Sequence, residues 1–92
     1  APLQMLVTTL GYDDYRGVVL YVRVVVGEIA RNDAIYMMAA KAGGLALEVG
    51  HLSPGMIPDD KLTTGQIGYI VTNLKTTREA KVGDTVTLKK YI

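Results

Sequence analysis

The sequence predicts an all-β fold, a closed six-stranded antiparallel barrel, and three observations carry that prediction. Val, Ile and Thr make up 26 of the 92 residues, an excess of β-branched side chains that suits a pleated surface better than a helix. Apolar runs recur at short intervals, each bounded by Gly, Pro, Asn or Asp. The chain is also small, and a small sheet avoids exposed edges by closing on itself.

The first expected strand is Met5 to Tyr12, ended by the polar break Asp13-Asp14-Tyr15-Arg16-Gly17. Val18 to Val26 follows, with Val18, Leu20, Val22 and Val24 on one face and Val19, Tyr21, Arg23 and Val25 on the other. Both faces are largely apolar, so this strand is expected to be central and covered on both sides. Ile29 to Asn32 leads into a turn at Asn32-Asp33, because Asn tolerates left-handed backbone angles. Ala34 to Ala39 is the third strand, and Ala42-Gly43-Gly44 reads as the hairpin turn after it. A helix over Met37–Ala42 is disfavoured by the glycine pair and the short length. Leu45 to Leu52 is the fourth strand, followed by a longer loop from Ser53-Pro54-Gly55 through Pro58-Asp59-Asp60. Gln66 to Leu74 is the fifth, Lys75 to Lys81 a charged connection, and Thr85 to Lys89 the last strand after Val82-Gly83-Asp84.

One domain spanning residues 1–92 fits this length, with enough chain for one modest core. At 49% hydrophobic and 21% charged residues the chain is not a disordered tail, and no apolar run approaches the ~20 residues that span a bilayer. Ala1-Pro2-Leu3-Gln4 lacks a charged lead and an initiator Met, and reads as a domain boundary, not a signal peptide. The absence of Cys removes disulfides, thiol catalysis and Cys-ligated zinc. The net charge is +1, so attraction to nucleic acid or membrane has to come from a local patch.

Catalytic and metal sites need particular residue types at particular spacings. A phosphate-cradling loop needs Gly-Lys or a G-x-G-x-x-G run, and neither occurs. Asp13-Asp14 and Asp59-Asp60 are adjacent pairs whose members would point to opposite faces of a strand, which prevents a shared proton; they read as solvated carboxylates. Asp33 and Asp84 follow turn residues and are expected to accept hydrogen bonds from nearby turn N–H groups. The lone His51 reads as a partly exposed structural residue, and of Met37 and Met38 one is expected to pack inward. No catalytic, nucleotide-binding or metal residue is assigned. Two basic segments remain: Tyr12, Tyr15 and Arg16 around the first loop, and Lys75, Arg78 and Lys81 in the late one, diluted by Glu79 and Asp84. They fit solvated loops, and they fit contacts to RNA, since Lys and Arg displace counterions and aromatics stack on bases.

Asp13-x-Tyr15-Arg16-Gly17-Val18-Val19, Val22-Arg23-Val24 with Gly27, Ile35-Tyr36-Met37-Met38, and Glu48-Val49-Gly50 follow one another along the chain. Ser53-Pro54-x-Met56-x-Pro58, Leu62-x-x-Gly65-x-Ile67-Gly68-Tyr69-Ile70, Lys75-x-x-Arg78 and Val82-Gly83-Asp84-Thr85 complete the series. This ordered set resembles the second domain of the elongation factor 4 (LepA) family of translational GTPases over nearly the whole chain. Even Ala1-Pro2-Leu3-Gln4 resembles that family's junction with its GTPase domain. The chain departs from the family pattern at three places: Arg31-Asn32-Asp33 stands for Pro-Gly-Asp, Leu10-Gly11 for Asp-Ser, and His51 for a large apolar residue.

The resemblance implies a β-barrel of the translation-factor second-domain type without catalytic activity of its own. It implies GTP and magnesium as cofactors of a separate GTPase domain, and none for this segment. It implies partners as well: the ribosome, with small-subunit ribosomal RNA contacted by Tyr15 and Arg16 first and Lys75 and Arg78 second, the GTPase domain, and tRNA. The parent factor would act in elongation, in back-translocation or rescue of stalled ribosomes. It would be cytoplasmic, with peripheral contact to the inner membrane through the parent alone. Other readings stay open: the second domain of a BipA-type or elongation factor G-like GTPase, or a stand-alone barrel for a small ligand or an oligonucleotide. The stand-alone barrel calls for a concave pocket or aromatics on an exposed strand face.

Overall fold

A computed structural model describes residues 2–75, 78 and 80–91. Its elements run β1 (Gln4–Asp13), β2 (Gly17–Val26), β3 (Glu28–Ala30), β4 (Ala34–Met37), β5 (Ala42–Leu52), β6 (Met56–Asp59), β7 (Lys61–Thr63), β8 (Ile67–Thr72) and β9 (Thr85–Leu88), then a 3₁₀ turn at Lys89–Tyr91. The six expected strands correspond to β1, β2, β4, β5, β8 and β9, and the fold is all-β. These six pair in the order β4-β9-β1-β2-β8-β5, every pair antiparallel, and β5 pairs back with β4. The ladder hydrogen bonds therefore run around a ring.

Alternation along each strand sends one set of side chains into the ring. Met5 and Val7, then Val18, Leu20, Val22 and Val24, are fully buried and belong to one cluster with Ile35, Met37, Val49, Ile70 and Val86. Each such side chain contributes about 1.5–3 kcal/mol by leaving water. Register shifts interrupt the alternation in β1 between Val7 and Thr9 and in β5 between Ala46 and Glu48. At the first bulge Thr8 and Thr9 both face outward, and the Thr8 hydroxyl donates to the Tyr21 carbonyl at 3.1 Å.

Both mouths of the ring are filled. The segment after β8 crosses to β9, which stands on the other side of the ring, and sends the buried Leu74 and Ala80 into the core cluster. At the opposite mouth β3 and β7 form a two-stranded sheet in which Ile29 faces Leu62, both buried in that same cluster.

Several local expectations are corrected. Ala42-Gly43-Gly44 is not the hairpin turn; these three residues lie in β5 opposite Met37, Tyr36 and Ile35 in that order. The turn is Met38–Lys41 with Lys41 at φ 55°, and its N–H groups are held by an aspartate from a distant part of the chain, which no local pattern reveals. The loop expected from Ser53 to Asp60 contains β6, paired with β5. Pro58 argues against a central strand, but β6 ends the sheet order, where a missing donor on the outer side costs nothing. Glu28, which follows Gly27 in a turn-like pair, and Ile29 and Ala30, expected as the lead into the Asn32 turn, form β3. The turn itself is confirmed: Asn32 takes φ 74°, and the Asp33 carboxylate accepts the Ala30 N–H at 2.9 Å. The second face of β2 is covered only at its start. Val19 is buried with Tyr69 and Val71 under Tyr21 and Met56, whereas Arg23 and Val25 face solvent.

Gly50 and Gly68 let β5, β6 and β8 approach one another. A Cβ on Gly68 would run into the Gly50 carbonyl, and one on Gly50 would run into the Ile57 carbonyl and lie 2.7 Å from the Tyr69 hydroxyl. Backbone cannot yield as a flexible side chain does. Gly50→Ala and Gly68→Ala should each cost about 1–3 kcal/mol, seen in thermal melts as a drop of roughly 4–8 °C per kcal/mol. Gly55→Ala, with nothing within 4 Å of the added carbon, should melt unchanged.

Candidate nucleic-acid interface

Strand direction decides which loops share an end of the ring. β1 rises into the turn before β2, β8 rises into the crossing segment, and β4 rises into its turn with β5, so these three connections lie at one mouth. The first carries Tyr15 and Arg16, the second Lys75, Arg78 and Lys81, and the third Lys41, all exposed. The four residues singled out for RNA thus share one end, arranged about the Leu74 and Ala80 plug. Lys41 was missed in the sequence because its segment reads as apolar strand and glycine turn; only the ring brings it here. Glu79, expected to dilute this cluster, lies outside the described residues.

The β1–β2 turn is built by Asp13. Its Oδ1 accepts the N–H groups of Tyr15 at 2.8 Å and Arg16 at 3.0 Å, closing a turn that mimics a backbone turn. Arg16 Nη1 stands 4.0 Å from Asp13 Oδ2, and Gly17 leaves the turn at φ 84°, where a Cβ would be strained. Asp13 is therefore not an idle solvated carboxylate. The Asp-x-Tyr-Arg spacing is the local signal that could have shown it. With its backbone tied down, the turn projects Tyr15 at 99% exposure and Tyr12 at 62%. A ring that already faces water is free to stack on a base.

The crossing segment is clipped at both ends. At its start the Thr72 hydroxyl donates to the Val18 carbonyl and accepts the Leu74 N–H, and Asn73 Oδ1 accepts the Leu45 N–H at 2.9 Å. At its end Asp84 is buried, and its carboxylate accepts the N–H groups of Ala39 at 2.7 Å and Ala40 at 3.1 Å. Turn N–H groups were expected as its partners, though nearby ones; these lie more than forty residues away in the chain. Among the described residues of these loops, Asp14 is the acid that faces solvent without a structural bond.

Other candidate groups prove to be structural. His51 Nδ1 lies 2.7 Å from Asp59 Oδ2, joining β5 to β6, so Asp59 is not merely solvated. The Tyr69 hydroxyl donates to Glu48 Oε2 at 2.6 Å; burial first, then Glu48, pushes its ionisation well above the usual tyrosine range. Tyr21 stands opposite Tyr69, so these rings are paired, yet Tyr69 is covered and offers no open aromatic face. Met37 packs inward while Met38 is half exposed. Among the described residues no cluster of three His, Cys, Asp or Glu is placed to hold a metal ion, and no helix is long and apolar enough to cross a membrane. Two open grooves lie on the surface, one lined by Glu28, Asp33, Thr63 and Lys90 and one by Pro2, Leu3, Tyr36 and Met38.

The hydrogen bonds from Tyr15 first and Arg16 next, with the Arg16 charge adding to them, hold the Asp13 carboxyl below its ordinary value of 3.8. A depressed acid contributes order that is complete above its unfolded value and is lost as pH falls through the folded one. The Tyr15 and Arg16 amide resonances should therefore titrate together with a midpoint below 3.8, and Asp13→Asn should abolish the step. A midpoint at or above that value would show that the turn does not depend on the carboxylate.

Comparison with known proteins adds a separate line. The family model of elongation factor Tu domain 2 matches residues 17–87. Elongation factor 4 of Protochlamydia amoebophila is 46% identical over 89 residues, 97% of this chain and 15% of that protein. Elongation factor 4 of Cutibacterium acnes is 46% identical over 87 residues, 95% of this chain and 14% of that protein. The chloroplastic translation factor GUF1 homolog of Vitis vinifera is 43% identical over 86 residues, 94% of this chain and 13% of that protein. The chain thus spans about 15% of the length of the curated relatives it matches.

Proposed function

Because this chain belongs to the elongation factor Tu domain 2 family, we propose that it is a non-catalytic docking module of a ribosome-dependent translational GTPase of the elongation factor 4 kind. In this reading the ring of six strands is the closed barrel typical of such second domains. Hydrolysis of GTP, with its magnesium ion, belongs to a GTPase domain elsewhere in the parent chain, against which this module packs. The parent works on elongating or stalled ribosomes in the cytoplasm, with tRNA nearby and peripheral membrane contact made only through other segments.

The module's own contribution is to grip small-subunit ribosomal RNA. The observation that carries this is the convergence of Arg16, Lys41, Lys75, Arg78 and Lys81 on one mouth beside an almost fully exposed Tyr15. Arg16 is suited to phosphate because its planar fork can donate two parallel hydrogen bonds, while Lys75 acts as a point charge. Such contacts release counterions, so affinity falls with salt in proportion to their number. Tyr15 adds stacking on an unpaired base, a contact that salt does not screen.

In the full-length factor, Arg16→Ala should weaken binding to isolated small ribosomal subunits and lower the slope of log affinity against log salt by about 1. Tyr15→Ala should weaken binding with the slope unchanged. Filter binding at several salt concentrations reads both. Wild-type affinity and slope in Arg16→Ala would remove this assignment.

A further inference from the structure

We infer that Asp84 is a positioning residue for the basic mouth: its buried carboxylate clasps the β4–β5 turn to the start of β9 and thereby fixes where Lys41 and Lys81 meet a polyanion. This rests on the reading of that mouth as an RNA-docking surface.

The geometry is a side-chain clasp between distant parts of the chain. Three consecutive N–H groups of the turn converge on residues 84 and 85: Met38 donates to the Thr85 carbonyl at 3.0 Å, Ala39 to Asp84 Oδ1 and Ala40 to Asp84 Oδ2. The backbone of Asp84 is fixed as well. Its carbonyl accepts the Val7 N–H at 2.9 Å, and its N–H donates to the Lys81 carbonyl at 3.1 Å. One residue therefore sets the position of two cations, Lys41 one peptide unit beyond the clasped N–H groups and Lys81 within its own turn. Lys41 also sits at φ 55°, a conformation that a non-glycine residue keeps only where its surroundings impose it.

The charge of Asp84 makes the arrangement more than a generic turn. An exposed aspartate between these lysines would repel phosphate. Asp84 is only 3% exposed and forms no ion pair with a Lys or Arg among the described residues; its charge is met by turn N–H dipoles instead. A carboxylate held this way orders the surface and leaves the lysine charges free for a ligand. Arg16 and Lys75 lie across the mouth and are anchored by Asp13, Thr72 and Asn73, so they serve as an internal control.

The test uses Asp84→Asn, which keeps the side chain's shape but turns an NH₂ toward a turn N–H, with polyuridylate as the probe. Binding is read against salt, well below each variant's melting temperature. Asp84→Asn should weaken binding roughly three- to tenfold and lower the salt slope by about 1. It should add nothing in a background in which Lys41 and Lys81 are both replaced by Ala, but should add fully to Lys75→Ala. A folded Asp84→Asn protein with wild-type affinity and slope, or full additivity with the combined Lys41→Ala and Lys81→Ala replacement, would overturn the proposal. Amide spectra separate this from failure of the docking reading. If the wild type does not bind polyuridylate, that reading fails, while the clasp still requires Asp84→Asn to shift the Lys41 and Lys81 amides and spare those of Arg16 and Lys75. If Asp84→Asn does not fold, wild-type hydrogen exchange decides: Ala39 and Ala40 amides as protected as the β4–β5 ladder support the clasp, and amides exchanging freely sink it.

Discussion

A ring of strands buries a column of side chains but leaves it open to water at two ends, and the structure is organised around filling those ends. Ile29 and Leu62 fill one mouth from a separate two-stranded sheet, and Leu74 and Ala80 fill the other from the crossing segment. Without them Val24, Leu20 and their neighbours would border solvent, and a domain of this size has little apolar area to spare. Each plug is carried on backbone that has no place in the ring ladder. Side chains and short strands therefore have to satisfy that backbone.

This requirement shapes the candidate interface. The segment that plugs the upper mouth also carries Lys75, Arg78 and Lys81, so burial and presentation of charge are properties of the same stretch. Thr72 and Asn73 hold its start and Asp84 its end, while Asp13 holds the neighbouring turn. In each case a short polar side chain takes up N–H groups that would otherwise point at nothing. Asp13 and Asp84 beside the basic loops are therefore structural acceptors. His51–Asp59 and Tyr69–Glu48, both contacts between side chains, tie β5 to its neighbours.

Much of the ring was legible in the sequence. The run Val18 to Val26 stated its inward set by strict alternation, and all four of Val18, Leu20, Val22 and Val24 are buried. The Asn32 turn was legible because few residues accept a positive φ. The short strands β3, β6 and β7 were not, since three or four residues carry no readable period and β6 contains a proline. Arg16, Tyr15, Lys75 and Arg78 stand out as candidates by residue type and by the resemblance, whereas Lys41 is hidden in an apolar context.

Residue order by itself determined the class of the fold, the inward faces of the long strands and the lack of thiol chemistry, because these depend on alternation and on which side chains exist. The tertiary structure alone decided that β4 meets β9, that Leu74 and Ala80 cross the mouth, and that Asp84 reaches Ala39 and Ala40. Those facts depend on contacts between residues tens of positions apart, and a contact of that range leaves no local pattern: the partners meet only once the ring has formed.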